Sequence, residues 1–268
     1  MSDGHASSVA LIGFGAIGQV VARRVLADAE APRLVAVAVR SRAEAARTAL
    51  PPEVRVVSGA AALVALRPDL VVECAGQEAL AACAPELLAA GIDVMAASVG
   101  ALARPGVLEA WLPASAPGRL FVPAGAVAGL DGLAAHRLAG LKRVVYTSTK
   151  PPRAWRGTAA EDAIDLDALG EPTSFFEGSA REAALVYPKN ANIAATVALA
   201  GIGLDDTRVR LVADPAAEEN AGLLEAESAI GRLRVETLAY PSANPRTSAT
   251  TALSLVAAIR NRAARFVI

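Results

Sequence analysis

The chain has 268 residues, of which 54% are hydrophobic but only 4% aromatic, so small aliphatic residues must fill the interior of one or two domains. Its formal net charge of -1 excludes the basic electrostatic field that proteins binding nucleic acid or anionic lipid require. The longest largely apolar run, residues 193–204, is too short to cross a membrane.

The two cysteines, Cys74 and Cys83, are too few for a disulfide framework and indicate a reducing compartment. The N-terminal residues do not have the positively charged segment and apolar run of a secretory signal. We therefore expect a cytoplasmic protein that binds neither membranes nor nucleic acid, and we predict no metal site.

The first part of the chain alternates short apolar runs with amphipathic segments, which predicts a doubly wound parallel sheet of the Rossmann type. The runs are too short for helices, and the segments between them end at glycine or proline. Strands are predicted at residues 9–12, 34–39, 54–57, 70–73 and 92–96, and helices at 19–29, 43–50 and 77–90.

The alternation changes near residue 107, which predicts a smaller, second α+β domain. We expect a dinucleotide-binding domain at residues 1–107 and a substrate and dimerisation domain at 108–244, with residues 245–268 packing back on the first domain. Strands are predicted at 120–122 and 144–149, an antiparallel meander at 209–213, 223–226 and 233–238, and helices at 131–138, 179–187, 192–199 and 247–262.

The motif Gly13-x-Gly15-x-x-Gly18 lies between the first predicted strand and helix, where it is typical of a dinucleotide site. In this interpretation the first glycine makes the turn, the second admits the pyrophosphate, and the third packs helix against strand. The helix N-terminus, with Ala16 and Ile17, then offers N–H groups to the phosphates. The alternative is a glycine-rich turn that binds nothing.

The end of the second strand favours NADP over NAD. A carboxylate at this place would bind the ribose 2′-hydroxyl, but Arg40, Ser41 and Arg42 follow the strand and the first acid is Glu44. Guanidinium groups form charge-assisted bonds with a 2′-phosphate. The alternative is a pair of solvated arginines. We also assign Cys74, Ala75 and Gly76, after the fourth strand, to the cofactor site.

Several sequence blocks together resemble the L-aspartate dehydrogenase family over nearly the whole chain. The resemblance implies NAD(P)-dependent interconversion of L-aspartate and 2-iminosuccinate, which yields oxaloacetate and ammonia, by hydride transfer between the substrate Cα and the nicotinamide. It also implies a homodimer and a link to NAD biosynthesis. The blocks that carry it are Glu73-Cys-Ala-Gly76, Ser98-Val-Gly-Ala-Leu102, Pro123-Ala-Gly-Ala126, Gly178-Ser-Ala-Arg-Glu-Ala-Ala184, Tyr187-Pro-Lys-Asn-Ala-Asn192, Ala213-Asp-Pro215 and Asn244-Pro-Arg-Thr-Ser248.

The resemblance further implies that Ala126 and Asn192 contact the cofactor; Asn192 suits a helix N-cap equally well. A dicarboxylate substrate needs cations, and we take Lys189 as the first candidate and Lys150 as the second, with Arg181 nearby. The alternative for each lysine is an ordinary solvated side chain.

The chain departs from the family at the position that the resemblance assigns to a catalytic histidine, which is Gly222 here. Of the two histidines, His5 lies in the N-terminal tail and His136 inside a predicted helix, where a packed or surface role is the simpler interpretation. General acid–base catalysis contributes about 10²–10⁴-fold in rate, so we expect weak or mainly reductive activity on aspartate. The alternatives are the same fold acting on another amino or imino acid, and an inactive NADP-binding protein.

Overall fold

A computed structural model describes residues 7–41, 43–113, 116–188, 192–240 and 249–267. The chain divides into two compact units. The first contains the described parts of Met1–Ala101, Pro105–Gly125 and Thr251–Ile268, and the second those of Leu102–Arg104 and Ala126–Thr250. Among the described residues, no helix is long and apolar enough to cross a membrane.

The described strands of the first unit form a parallel sheet in the order β3-β2-β1-β4-β5-β6, which confirms the predicted Rossmann-type architecture. The central strands are mostly apolar and almost entirely buried because helices cover both faces of such a sheet. The strands are β1 (Ser8–Ile12), β2 (Arg33–Ala38), β3 (Arg55–Val57), β4 (Leu70–Glu73), β5 (Asp93–Ala96) and β6 (Leu120–Phe121).

Helices connect these strands, and two of them, at Gly59–Leu66 and Val107–Trp111, were not predicted. The first of these has the sequence GAAALVAL, which lacks the polar face that makes a helix recognisable by its periodicity, and the second has only five residues, too few to show a period. The helices are α1 (Ala16–Leu26), α2 (Ala43–Ala49), α3 (Gly59–Leu66), α4 (Gln77–Ala89) and α5 (Val107–Trp111), with a 3-10 turn at Val99–Ala103.

The last of the described helices belongs to the first unit. This helix, residues Ala249–Ala263, buries Ala252, Leu255 and Ile259 in the same apolar cluster as Leu11 of β1. The three buried residues recur every three or four positions, as one face of a helix requires. Near the helix end, Arg262 donates to the Asp93 carboxylate over 2.6 Å.

The described strands of the second unit form a mixed sheet in the order β11-β10-β7-β9-β8. Its strands are β7 (Leu141–Lys150), β8 (Thr173–Ser179), β9 (Arg208–Ala213), β10 (Asn220–Ser228) and β11 (Gly231–Ala239). Its helices are α6 (Leu130–Leu138), α7 (Ala160–Ala163), α8 (Ala180–Val186) and α9 (Asn192–Ala200); the C-terminal helix is therefore α10.

The prediction of an antiparallel meander was wrong about the partner of its first strand, β9. β10 and β11 do form an antiparallel hairpin, but β9 does not pair with β10. Instead β7 lies between them, parallel to β9 and antiparallel to β10. The connection crosses the end of β7, where the Asp214 N–H donates to the Lys150 carbonyl over 2.9 Å. Alternating hydrophobicity identifies strands but not their partners, and β8, the other partner of β9, was not predicted.

Candidate cofactor and substrate sites

The glycine loop between β1 and α1 contains three glycines, and only one of them has open space beside it for a ligand. A Cβ on Gly13 would lie 2.8 Å from the Ala75 Cβ, and one on Gly18 would lie 3.1 Å from the Gly13 carbonyl carbon. Gly13 also has φ +94, which favours glycine. At Gly15, by contrast, no described atom lies within 4 Å of the Cβ position. The loop is therefore closed behind and open at Gly15, as a group that approaches the backbone there requires.

The N-terminus of α1 is suited to bind an anion. Ala16, Ile17 and Gly18 form its first turn, so their N–H groups have no acceptor within the helix. Within this turn, all of which is described, there is no acidic residue, and the N-cap Gly15 has no side chain to compete for the donors. The loop thus fits the pyrophosphate of a dinucleotide, which would take these N–H groups and the positive end of the helix dipole.

At the end of β2, the described part of the predicted 2′-phosphate site is accessible. Arg40 and Ser41 are both exposed, whereas Val39 before them is buried. No described carboxylate forms an ion pair with Arg40. Arg42 lies outside the described residues. The Arg40 guanidinium is thus available for a phosphate dianion at the strand end where adenosine ribose binds in this fold.

At the end of β4, three predicted cofactor residues have their N–H groups already used within the protein. The Cys74 N–H donates to the Ile12 carbonyl over 2.8 Å. Those of Ala75 and Gly76 both donate to Oε1 of Glu73, each over 2.6 Å. Cys74, Ala75 and Gly76 can therefore line a ligand but cannot offer it their backbone donors. Burial also raises the pKa of the Cys74 thiol well above its usual value, so the thiol stays protonated.

Glu73 was not predicted to have a role in the site, yet its carboxylate binds the segments that follow β4 and β5 at this edge of the sheet. Its side chain is completely buried and also accepts hydrogen bonds from the Ser98 N–H and hydroxyl, each over 3.0 Å. Burial raises the pKa of the carboxyl group, while the four hydrogen bonds oppose that rise. A charged residue that ends an otherwise apolar strand, three residues before Gly76, was the signal in the sequence.

In the second unit, Lys150 ends β7 and lies against an aromatic support. Its ammonium nitrogen is 4.8 Å from the centre of the Trp155 ring. Trp155 is fully buried, donates its indole N–H to the Val212 carbonyl over 3.0 Å, and packs edge-on against Phe175. Burial lowers the pKa of Lys150 to about 8. Lys150 is thus a half-buried cation rather than an ordinary solvated lysine. Such an environment is compatible with binding an anion.

Gly222, on β10, has no room for a side chain. It lies opposite Ser148 of β7 and Thr237 of β11. A Cβ on Gly222 would be 2.7 Å from the Tyr146 hydroxyl and 3.1 Å from the Thr237 hydroxyl. Burial raises the pKa of Tyr146, so its hydroxyl remains a neutral group. The place of a side chain at position 222 is therefore taken by two hydroxyl groups.

The remaining predicted residues differ in what the structure says of them. Asn192 is half-buried at the start of α9, and its carbonyl accepts from the Thr196 hydroxyl over 3.0 Å. Ala126 is half-buried in a turn before the buried Val127. Arg181 forms two hydrogen bonds to the Asp205 carboxylate, at 2.6 and 2.8 Å, so its positive charge is already paired within the protein.

Some predictions fall on residues of which the structure gives no description, namely Lys189, His5 and the block at residues 244–248. His136 lies on α6, where its Nδ1 is 2.9 Å from the Ser228 hydroxyl. Among the described residues, no group of three or more His, Cys, Asp or Glu side chains could hold a metal ion.

Comparison with known families matches both parts of the chain. Residues 13–117 match the family model of the homoserine dehydrogenase NAD-binding domain, and residues 131–262 match that of the aspartate dehydrogenase C-terminal domain. The chain is 48% identical over 261 residues to an L-aspartate dehydrogenase of Cupriavidus necator, covering 95% of this chain and 97% of that protein.

Two further relatives agree with this. An L-aspartate dehydrogenase 2 of Bordetella pertussis is 46% identical over 267 residues, covering 97% of this chain and 98% of that protein. The crystal structure of aspartate dehydrogenase from Thermotoga maritima is similar with a TM-score of 0.77 at 26% identity, covering 98% of this chain and 100% of that one.

Proposed function

The chain belongs to the aspartate dehydrogenase family and is an amino-acid dehydrogenase, and from this premise we propose that it interconverts L-aspartate and 2-iminosuccinate with NADP as its preferred cofactor. The observation that carries the cofactor part is the loop at Gly13–Gly18, closed behind by tight packing and open at Gly15 beside the N-terminus of α1. When bound, the nicotinamide supplies the oxidation–reduction chemistry, and the chain supplies binding and orientation.

The preference for NADP rests on Arg40. It is exposed at the end of β2, and the first acid after this strand in the sequence is Glu44, so no carboxylate directly follows the strand to accept hydrogen bonds from an unphosphorylated ribose. A guanidinium bonds a phosphate dianion through short charge-assisted contacts, so the 2′-phosphate gains more from Arg40 than a hydroxyl does.

Lys150 is proposed to bind a carboxylate of the substrate. Burial disfavours the charge of this lysine, so an anion that enters the same poorly solvated place is bound strongly. The attraction between the two charges then replaces the hydration that each of them has lost. The buried Trp155 restricts the directions in which the ammonium group can point. Lys189 is proposed as a second cation for the same dicarboxylate.

At Gly222 the chain offers no proton-transfer side chain. The neutral Tyr146 and Thr237 hydroxyls occupy the space, and burial makes Tyr146 a poor base at neutral pH. Since general acid–base help is worth about 10²–10⁴-fold, aspartate oxidation should be slow, and the reductive direction, in which a protonated imine needs no base, should be favoured. The same filled space supports a second candidate, reduction of another small imino acid.

The assay follows NADPH absorbance with oxaloacetate plus ammonia, then with a panel of other 2-keto acids plus ammonia, and in reverse with L-aspartate. Consumption of NADPH with oxaloacetate, faster than with any other keto acid, is expected. Turnover of a different keto acid alone would support the second candidate, and no turnover with any of them would contradict both and leave an NADP-binding protein.

We also propose a cytoplasmic homodimer, linked to NAD biosynthesis through iminosuccinate. β11 is an edge strand of the second sheet, and Leu238 on it and Tyr240 after it are 65% and 81% exposed. Large apolar side chains on an open edge strand favour association with a second copy. Light scattering after size exclusion should give twice the 27.2 kDa mass of the chain.

A further inference from the structure

We propose that Glu73 is a positioning residue of the dinucleotide site, which holds the turn after β4 against the glycine loop. The proposal deepens the proposed function, because it assumes that the cofactor binds at the loop. Glu73 would not touch the cofactor itself. It would act through the backbone that it binds.

The hydrogen bonds of Glu73 join the ends of two adjacent strands. Oε1 accepts from the Ala75 and Gly76 N–H groups, which follow β4, and from the Ser98 hydroxyl, which follows β5. Oε2 accepts from the Ser98 N–H. β4 and β5 are parallel neighbours, so one buried carboxylate ties both segments at the carboxyl edge of the sheet, the edge at which ligands bind in this fold.

The chemistry of these four contacts calls for a carboxylate. Three of the four partners are backbone N–H groups, which can only donate. An amide in place of the carboxylate would have to turn its NH₂ either toward the Ser98 N–H or toward those of Ala75 and Gly76. In the first orientation the Ser98 N–H loses its acceptor, and in the second those of Ala75 and Gly76 both do.

The turn that Glu73 holds lies directly against the glycine loop. A Cβ on Gly13 would be within 3.0 Å of three Ala75 atoms, so the loop and the turn are already at close contact. Gly76 has φ +138 and is the N-cap of α4, so the turn passes from the end of β4 into α4 through a backbone conformation that glycine adopts and other residues rarely do. A displacement of Ala75 would therefore pass to Gly13, and from it to the open position at Gly15.

The test compares Glu73→Gln with Asp93→Asn. Asp93 is also a buried carboxylate of this sheet, but it begins β5 and so lies at the opposite edge, where it accepts from the Arg119 N–H over 2.8 Å. Both substitutions should lower the thermal stability. Only Glu73→Gln should raise the dissociation constant of NADP, by about tenfold or more, while Asp93→Asn should keep it within about twofold.

A second measurement needs no cofactor. Backbone amide exchange of Ala75, Gly76 and Ser98 in the cofactor-free protein should become faster in Glu73→Gln and stay unchanged in Asp93→Asn. If Glu73→Gln does not fold, Ser98→Ala can replace it, because it removes only the hydroxyl contact. It should raise the dissociation constant of NADP and speed the exchange of the Ala75 and Gly76 amides in the same way, but by less.

Equal effects of the two substitutions on NADP binding would overturn the proposal, as would unchanged exchange at Ala75 and Gly76 in Glu73→Gln. Failure of the proposed function has a different result. The wild type would then bind neither NADP nor NAD, and the exchange measurement alone would decide whether Glu73 holds the turn.

Discussion

Replacing Lys150 with methionine is expected to stabilise the protein near pH 7 while weakening substrate binding. Burial lowers the pKa of Lys150 from an ordinary 10.5 to about 8, so at pH 7 the folded protein carries a charge that its surroundings disfavour. At about 1.36 kcal/mol per pH unit, that difference corresponds to about 3 kcal/mol. The contact with Trp155, worth about 1 kcal/mol, is lost in the variant. A net gain of about 1–3 kcal/mol remains.

The dependence on pH has a definite sign. Between pH 8 and 10.5 the unfolded chain still holds the proton that folded Lys150 has released, so the stability of the wild type rises with pH. Lys150→Met lacks this rise. The advantage of the variant should therefore be largest below pH 8 and become small as the pH approaches 10.5.

Urea unfolding at pH 7 and pH 10 measures the effect, with tryptophan fluorescence as the signal because Trp155 adjoins the substituted residue. Lys142→Met is the control, since Lys142 is exposed on the same strand, and it should change stability little at either pH. In the activity assay Lys150→Met should raise KM by about 10–100-fold, as loss of a charged contact predicts. A variant less stable than the wild type at pH 7, or a difference that is independent of pH, would refute the reasoning.

Three further predictions concern the other parts of the two sites. Gly15→Val should abolish NADP binding without lowering the melting temperature, because φ is −82 and the Cβ position is open, so the strain of a positive φ does not apply here; undiminished binding would contradict the phosphate site. Arg40→Ala should weaken NADP binding by about 1.5–3 kcal/mol and leave NAD binding unchanged, with Arg47→Ala on α2 as an exposed control. Equal affinities of the wild type for the two cofactors would rule this out. Gly222→Ala should cost about 1–3 kcal/mol of stability through overpacking, and less in a Tyr146→Phe background, which removes the hydroxyl that lies 2.7 Å away. Gly222→His alone should then lower activity rather than restore it, and additive effects of Gly222→Ala and Tyr146→Phe would contradict the contact.

The first unit could be predicted largely from its sequence because each of its signals is local. β1, the glycine loop and α1 follow one another within 20 residues, and each has its own pattern. The roles of Gly13 and Gly15 also follow from the motif, and the packing of both positions agrees with them. α3 was not predicted because it is apolar on all sides, so its sequence shows no helical periodicity.

The second unit was harder because its determinants are distant in sequence. The pairing of β9 with β7 joins residues about 60 positions apart, and alternation within either strand says nothing of it. The filling of the space at Gly222 depends on Tyr146, far away in the chain. The first unit presents the same difficulty at Glu73, whose hydrogen bonds to Ser98 span 25 residues. Composition could show that Lys150 is a cation, but only the packing of Trp155 shows that it is a poorly solvated one.

The membership of α10 in the first unit has a consequence for biosynthesis. The ribosome makes this helix after all the described strands of the second unit, so until then the apolar cluster that contains Leu11 lacks Leu255 and Ile259. The second unit, whose sheet ends with β11, has all its strands earlier. Nascent chains should therefore complete the second unit first and depend on chaperones to shield the unfinished first one. A fragment that stops at Gly125 would retain this exposed face permanently and should aggregate.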